Sequence, residues 1–216
     1  MIVPPFDQRD GFIWQNGALV PWRDAKLHVL SHGLHYGSCV FEGERAYGGK
    51  IFKSREHSER FKNSARILDF EIPYSVEELD AAKDATLKAN NLQNSYIRPV
   101  AWRGSEMMAV AAQNSTINVA IAVWDWPSMF DINTKMKGIK LDIAEYCRPD
   151  PRTAPSMAKA AGLYMICTIS KHRAERRGYA DAHMLEWQGR VAECPGAKVV
   201  FVKDGALNPP QADCFL

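Results

Sequence analysis

No stretch of about 18 apolar residues occurs anywhere in these 216 residues, so a membrane-crossing helix is not expected. The opening run, Met1 to Arg9, has neither a basic segment nor an apolar one. A secretory signal is therefore not expected, and a cytoplasmic location is. The formal charge is only +2, too small an excess of one sign to draw in nucleic acid or an anionic membrane surface. Cysteine is sparse: Cys39, Cys147, Cys167, Cys194 and Cys214 are odd in number and scattered, with no Cys-x-x-Cys pair. That pattern argues against a disulfide framework or a zinc site and for reduced thiols. Internal repeats and low-complexity tracts are missing too. So are the G-x-G-x-x-G and G-x-x-x-x-G-K-[ST] phosphate loops, which removes those nucleotide-binding classes.

What is present is a soluble-type composition, long enough for one or two domains with a real core. Phe12-Ile13-Trp14, a turn at Asn16-Gly17, and Ala18-Leu19-Val20 predict a hairpin. A second hairpin is expected from one strand over Val40 to Tyr47, the turn Gly48-Gly49, and Lys50 to Phe52. Ser54 can cap a helix to about Leu68, with His57, Phe61, Ala65 and Leu68 on one face. Ser75 and Glu78 have capping-box spacing and start a helix that stops at Asn90-Asn91. Strands follow at Ser95–Trp102 and Thr116–Trp124, the second apolar enough to be central. Trp126 to Asp131 breaks the pattern. Beyond it, a strand over Ile139–Ala144 and a long helix from Ser156 to Arg177, ended by Gly178, are expected. Short strands come next at Ala182–Trp187, Val191–Glu193 and Val199–Lys203, with turns at Gln188-Gly189 and Asp204-Gly205. The alternation points to an α+β fold rather than a doubly wound sheet.

Lys159 stands out in the run from Pro155 to Cys167. Small and apolar residues flank it, and no acid lies within ten positions on its C-terminal side. A lysine held away from water loses its proton more readily, which frees the amine for Schiff-base chemistry. Counted from Ser156 it falls in a first helical turn, with Leu163 and Ile166 on its face. By itself it reads as a stem packed on that face with the amine in solvent. Glu193 ends a short strand after a tight turn, where a carboxylate can be aimed into a cleft and can serve a pyridoxal ring nitrogen. His28, His32 and His35 lack intervening acids, and Gly33 disfavours a helix that would align them. They read as structural histidines, not a metal site. Arg60 and Arg98 can each hold an anion, although a lone arginine is more often in a surface pair.

Taken in order, several segments resemble the fold-type IV pyridoxal-phosphate enzymes, and among them the branched-chain amino acid aminotransferases. They are Trp22 to Val29, His32-Gly33-Leu34-His35-Tyr36-Gly37, Val40 to Arg45, and Arg55-Glu56-His57-Ser58-Glu59-Arg60. The pattern continues in Tyr96-Ile97-Arg98-Pro99, Ala158 to Tyr164, and Val202-Lys203-Asp204-Gly205. The resemblance implies a small α/β N-terminal domain (residues 1–126), a linker (127–135) and the first part of a larger β-rich cofactor domain (136–216). It implies that Lys159 carries pyridoxal 5'-phosphate and moves the proton between substrate Cα and cofactor C4′. Arg60 would bind the phosphate, Tyr164 the phenolic oxygen and Glu193 the pyridine nitrogen. Tyr36, Phe41, Gly43 and Tyr96 would shape the substrate pocket, with Gly43 leaving room for a branched side chain. Arg98 would receive the side-chain carboxylate of glutamate or 2-oxoglutarate. The implied reaction is ping-pong transamination between leucine, isoleucine or valine and 2-oxoglutarate, in a homodimer or larger assembly.

Two departures from that pattern stand out. After Glu193 the family continues with small residues and an asparagine. Here the run is Cys194-Pro195-Gly196-Ala197-Lys198, which fixes φ at Pro195 and puts a cation at 198. The family's large domain also extends past Pro209-Pro210 through a phosphate-binding turn. A truncated cofactor domain is therefore expected, with apolar faces exposed and with stability and cofactor affinity both reduced. The alternatives are a catalytically impaired fragment of this fold, or a related D-amino acid transaminase or aminodeoxychorismate lyase.

Overall fold

The computed structural model describes residues 4–127 and 130–210. The chain divides into two compact units, residues 1–127 and 128–216. In the first, Asn16 and Gly17 hold φ of 49° and 99°, the left-handed pair that a two-residue hairpin needs. They join β1 (Phe12–Gln15) to β2 (Ala18–Pro21) as expected. A short helix, α1 (His32–Tyr36), ends at Gly37.

The segment 40–47, expected as one strand, is two: β3 (Cys39–Phe41) and β4 (Glu44–Tyr47). The turn at Gly48-Gly49 leads into β5 (Lys50–Ile51). Both β3 and β4 run antiparallel to β6 (Ser95–Arg103), with Phe41 facing Val100 and Glu44 facing Ile97. The register is unbroken, which puts Glu42 opposite Pro99. Glu42 donates its N–H to the Pro99 carbonyl at 2.9 Å. Pro99 has no N–H to return, so the ladder lapses there.

The second expected helix, α2 (Ser54–Ile67), is capped differently from expectation. Lys53, at φ 57°, is the cap and Ser54 is the first helical residue. The Ser54 hydroxyl donates instead to Asp80 at 2.7 Å, a tertiary partner that spacing does not reveal. In α3 (Val76–Ala89) the Ser75/Glu78 capping box forms in full. Strand β7 (Ile117–Trp124) is central, in the order β2-β1-β7-β6-β4-β5, with β3 also on β6.

Period-two alternation splits this sheet into two faces. Ile97, Ala101, Val119, Ile121 and Val123 pack against Phe61, Ala65, Leu79 and Leu87 of α2 and α3. Tyr96, Arg98 and Trp124 lie on the opposite face, half-buried. Along β3 and β4 the same rule puts Glu42 and Glu44 on the helix side, each fully buried. Lys83 of α3, also fully buried, meets Glu44 at 2.9 Å, Ser58 Oγ at 2.7 Å and Asp80 at 3.3 Å. Burial pushes the Glu44 carboxyl above the usual carboxylate range, and Lys83 opposes that shift.

In the second unit, Asp131 caps α4 (Ile132–Lys137) by accepting the Asn133 and Thr134 N–H groups. Strand β8 (Leu141–Ile143) pairs in parallel with β9 (Asp181–His183), and α5 (Met165–Arg176) lies between them in the chain. The helix expected from Ser156 starts only at Met165, after a 3-10 turn over Ala161–Tyr164. Over 155–158 the backbone turns, with the Ala158 N–H donating to the Pro155 carbonyl at 2.9 Å. Ala158 and Ala160 are then buried on one side and Lys159 projects to the other. Burial of this alternating pattern overrides the high helix propensity of the alanines. Asp204 and Gly205 join β10 (Phe201–Lys203) to β11 (Ala206–Asn208), and Phe201, Val202 and Leu207 are exposed. An antiparallel sheet with helices in one unit and a small parallel pair in the other make the architecture α+β.

Replacing Lys83 by methionine leaves Glu44 buried without its cation, at an expected cost of about 3 kcal/mol at pH 8. Glu44 can take up a proton at lower pH, so the loss in urea-unfolding stability should shrink by pH 5. The double variant Lys83→Met/Glu44→Gln should recover part of it.

Candidate active site

Glu42 anchors a charged cluster in the first unit. Its two oxygens accept from Arg60 Nε at 2.6 Å and Nη2 at 2.7 Å, a bidentate pair, and His57 Nδ1 lies 2.8 Å away. Burial opposes ionisation, but the hydrogen bonds and charges of Arg60 and His57 outweigh it and hold Glu42 down at about 2. The Arg60 side chain is still 36% exposed, so its guanidinium is fixed in plane without being sealed off.

On the other face, alternation brings Phe41, Gly43, Tyr96 and Arg98 together. Arg98 Nη2 donates to the Tyr96 hydroxyl at 2.8 Å, and its guanidinium stacks 4.6 Å from the Phe41 ring centroid. Tyr96 packs against Trp124 and Trp126 at 5.0 and 4.7 Å between centroids. The space beside Gly43 is not vacant: a methyl there would collide with the Tyr96 hydroxyl. Gly43 thus admits Tyr96, where the expectation was room for a branched substrate. The Trp124/Trp126 pair escaped sequence reasoning; its signal was the outward parity of Trp124 on an apolar strand. Tyr36 lies on α1, exposed, with its ring stacked on His32 at 4.6 Å. His28, His32 and His35 each engage backbone groups: Leu30 N–H, the Ala109 carbonyl and the Val29 carbonyl.

In the second unit, the Lys159 ammonium donates to the Tyr164 hydroxyl at 2.7 Å. Because Lys159 precedes the helix, it does not share a helical face with Leu163 and Ile166, contrary to expectation. Glu193, its side chain 15% exposed, sits 3.3 Å from Arg148 Nε and 3.1 Å from Lys198 Nζ. Arg148 is buried and gave no sequence signal, since nothing in its local run marks it as inward-facing. Its Nη1 also approaches Cys167 Sγ at 3.7 Å. Burial pushes the Cys167 thiol up, and Cys39 and Cys194 up to about 11, which leaves these thiols neutral and unsuited as nucleophiles. Among the described residues no group of three or more His, Cys, Asp or Glu side chains could hold a metal ion.

An amine beside a phenol, with a carboxylate braced by a buried arginine, is a set of groups suited to carbonyl and ring-nitrogen chemistry. The sequence model of the family "Amino-transferase class IV" matches residues 39–216, and the chain belongs to that family. Within it, the chain is a homologue of the branched-chain amino acid aminotransferases. It is 42% identical over 205 residues to a probable branched-chain-amino-acid aminotransferase of Rickettsia felis, covering 94% of this chain and 69% of the relative. It is 39% identical over 212 residues to the Pseudomonas aeruginosa branched-chain-amino-acid aminotransferase, covering 96% and 69%. The crystal structure of a T.th. branched-chain amino acid aminotransferase with pyridoxamine 5'-phosphate superposes with a TM-score of 0.91 at 37% identity, covering 96% of this chain and 70% of that one. The fold-type IV expectation is met.

Two outcomes test this geometry. Glu42, at 4.5 when unfolded and about 2 when folded, contributes stability that is present above pH 4.5 and lost as pH falls toward 2. The stability gap between the wild-type chain and Glu42→Gln, about 2–3 kcal/mol at pH 6, should close across that window in urea titrations. Gly43→Ala should displace Tyr96, costing about 1–3 kcal/mol and shifting the fluorescence of Trp124 and Trp126.

Proposed function

We propose that the chain catalyses pyridoxal-phosphate-dependent transamination between branched-chain L-amino acids and 2-oxoglutarate. The observation that carries this reading is the Lys159–Tyr164 pair at 2.7 Å, in which Lys159 lies just ahead of the 3-10 turn that ends at Tyr164. The donor set fits the cofactor: one amine, one adjacent phenol, one carboxylate and a braced guanidinium. A relative solved as a complex with N-(5'-phosphopyridoxyl)-L-glutamate, 37% identical with a TM-score of 0.89, supports the same assignment.

When bound, the cofactor supplies an electron-accepting ring that stabilises negative charge at the substrate Cα. Lys159 is the amine that would hold the cofactor, and the same amine when free would carry a substrate proton as a base. Tyr164, hydrogen-bonded to that amine, orients it and would take the phenolic oxygen. Glu193 would take the ring nitrogen and Arg60 the phosphate. Phe41, Gly43, Tyr96 and Tyr36 shape the substrate pocket. Arg98, cushioned by the Phe41 and Tyr96 rings, receives the glutamate side-chain carboxylate. One pocket then serves an apolar and an acidic side chain, because an arginine stacked on aromatic rings offers both surfaces. The exposed apolar side chains Leu27, Val29, Leu34 and Val110 support assembly into a homodimer or larger oligomer.

Incubation with pyridoxal phosphate, borohydride reduction and peptide mapping should place the label on Lys159 and abolish it in Lys159→Arg. Leucine-dependent formation of glutamate from 2-oxoglutarate should follow Lys159 in the same way. Label on another lysine, with the Lys159→Arg chain still labelled, would refute the assignment.

A further inference from the structure

The turn after Glu193 decides what that carboxylate meets. Cys194 and Ala197 form an antiparallel bridge, with the Cys194 N–H donating to the Ala197 carbonyl at 2.9 Å, and Pro195-Gly196 is the two-residue loop between them. In this register Glu193 and Lys198 are the next residues across, on a common face. Lys198 Nζ accordingly reaches Glu193 Oε2 at 3.1 Å, while Arg148 Nε lies 3.3 Å from Oε1. Two cations bracket one carboxylate.

They are not equivalent. The Arg148 side chain is 4% exposed, its N–H donates to the Leu185 carbonyl at 2.7 Å, and its guanidinium contacts Cys167. Moving it away from Glu193 would leave a buried charge uncompensated. The Lys198 side chain is 54% exposed and can withdraw into water at little cost. A protonated pyridine nitrogen arriving at Oε2 brings a third positive charge to the same carboxylate, and Lys198 is the one that can leave.

We propose that Lys198 is a competing cation at Glu193, so that a protonated pyridine ring binds this chain only as the Lys198 ammonium is displaced. The inference rests on the reading of Glu193 as the ring-nitrogen partner. Lys198 is then a positioning residue that acts through Glu193 and weakens the hold of this chain on such a ring. Pro195-Gly196 enforces the competition, because the tight turn keeps residue 198 opposite residue 193.

The test compares the wild-type chain with Lys198→Met and Lys198→Gln. Pyridoxal phosphate and its analogue with carbon in place of the ring nitrogen are bound by equilibrium dialysis, and borohydride mapping fixes the site. Both variants should bind pyridoxal phosphate roughly threefold more tightly, the scale of a partly exposed ion pair. The carbon analogue should bind all three chains equally, and high salt should narrow the gap for pyridoxal phosphate. Unchanged affinity with the label on Lys159 overturns this inference alone, as does equal tightening for both ligands. A gain confined to methionine overturns it as a packing effect. No label on Lys159 in any chain overturns the reading beneath it, and the inference with it.

Discussion

Glu42 sits at the point on which the first unit turns. Strand alternation sends its carboxylate toward the helices, where Arg60 and His57 are waiting, and sends Phe41 and Gly43 to the opposite face. A carboxylate with no exposure cannot stay ionised without such partners, so the ion pair fixes the register of β3 and β4 against α2. Two residues on, Glu44 repeats the arrangement with Lys83 of α3. A one-residue slip would put both carboxylates among the aromatic rings and both site residues into the core. Core and candidate pocket are thus held by the same two acids.

The second unit solves a different problem. Lys159 must leave a buried, alanine-rich segment and present an amine. A turn and the non-helical residues after it do this, burying Ala158 and Ala160 and leaving the lysine to meet Tyr164. A helix through the same residues would aim the lysine along a face shared with Leu163 and Ile166. Glu193 is presented by a tight turn and is braced from beneath by Arg148. The same turn brings Lys198 up against it, so one local feature both offers and occupies the carboxylate.

Local codes in the sequence were reliable wherever the partners are near in the chain. Asn16-Gly17, the Ser75/Glu78 capping box and the apolar run of β7 each specify a structure from a few adjacent residues. Ser54 failed as a cap because Asp80, 26 positions away, claimed its hydroxyl. The single strand over 40–47 failed because the missing donor belongs to Pro99, on another strand. At Gly43 only the packed structure shows the Tyr96 hydroxyl occupying the place of a side chain. Arg148 and Lys83 were not legible at all: nothing local to them shows that a buried carboxylate needs their charge.

The sequence by itself determined the family, the α+β order of elements, and the identities of Lys159, Tyr164, Glu193, Arg60 and Arg98 as candidates. The resemblance of the ordered segments to a known family supplied the family and those candidates, and short-range periodicity supplied the order of elements. The tertiary structure decided which charges are buried together, which side of each strand is core, and that Lys159 lies ahead of the helix instead of within it. Those outcomes follow from desolvation, which acts on groups far apart in the chain and forces each buried charge to find its counterpart.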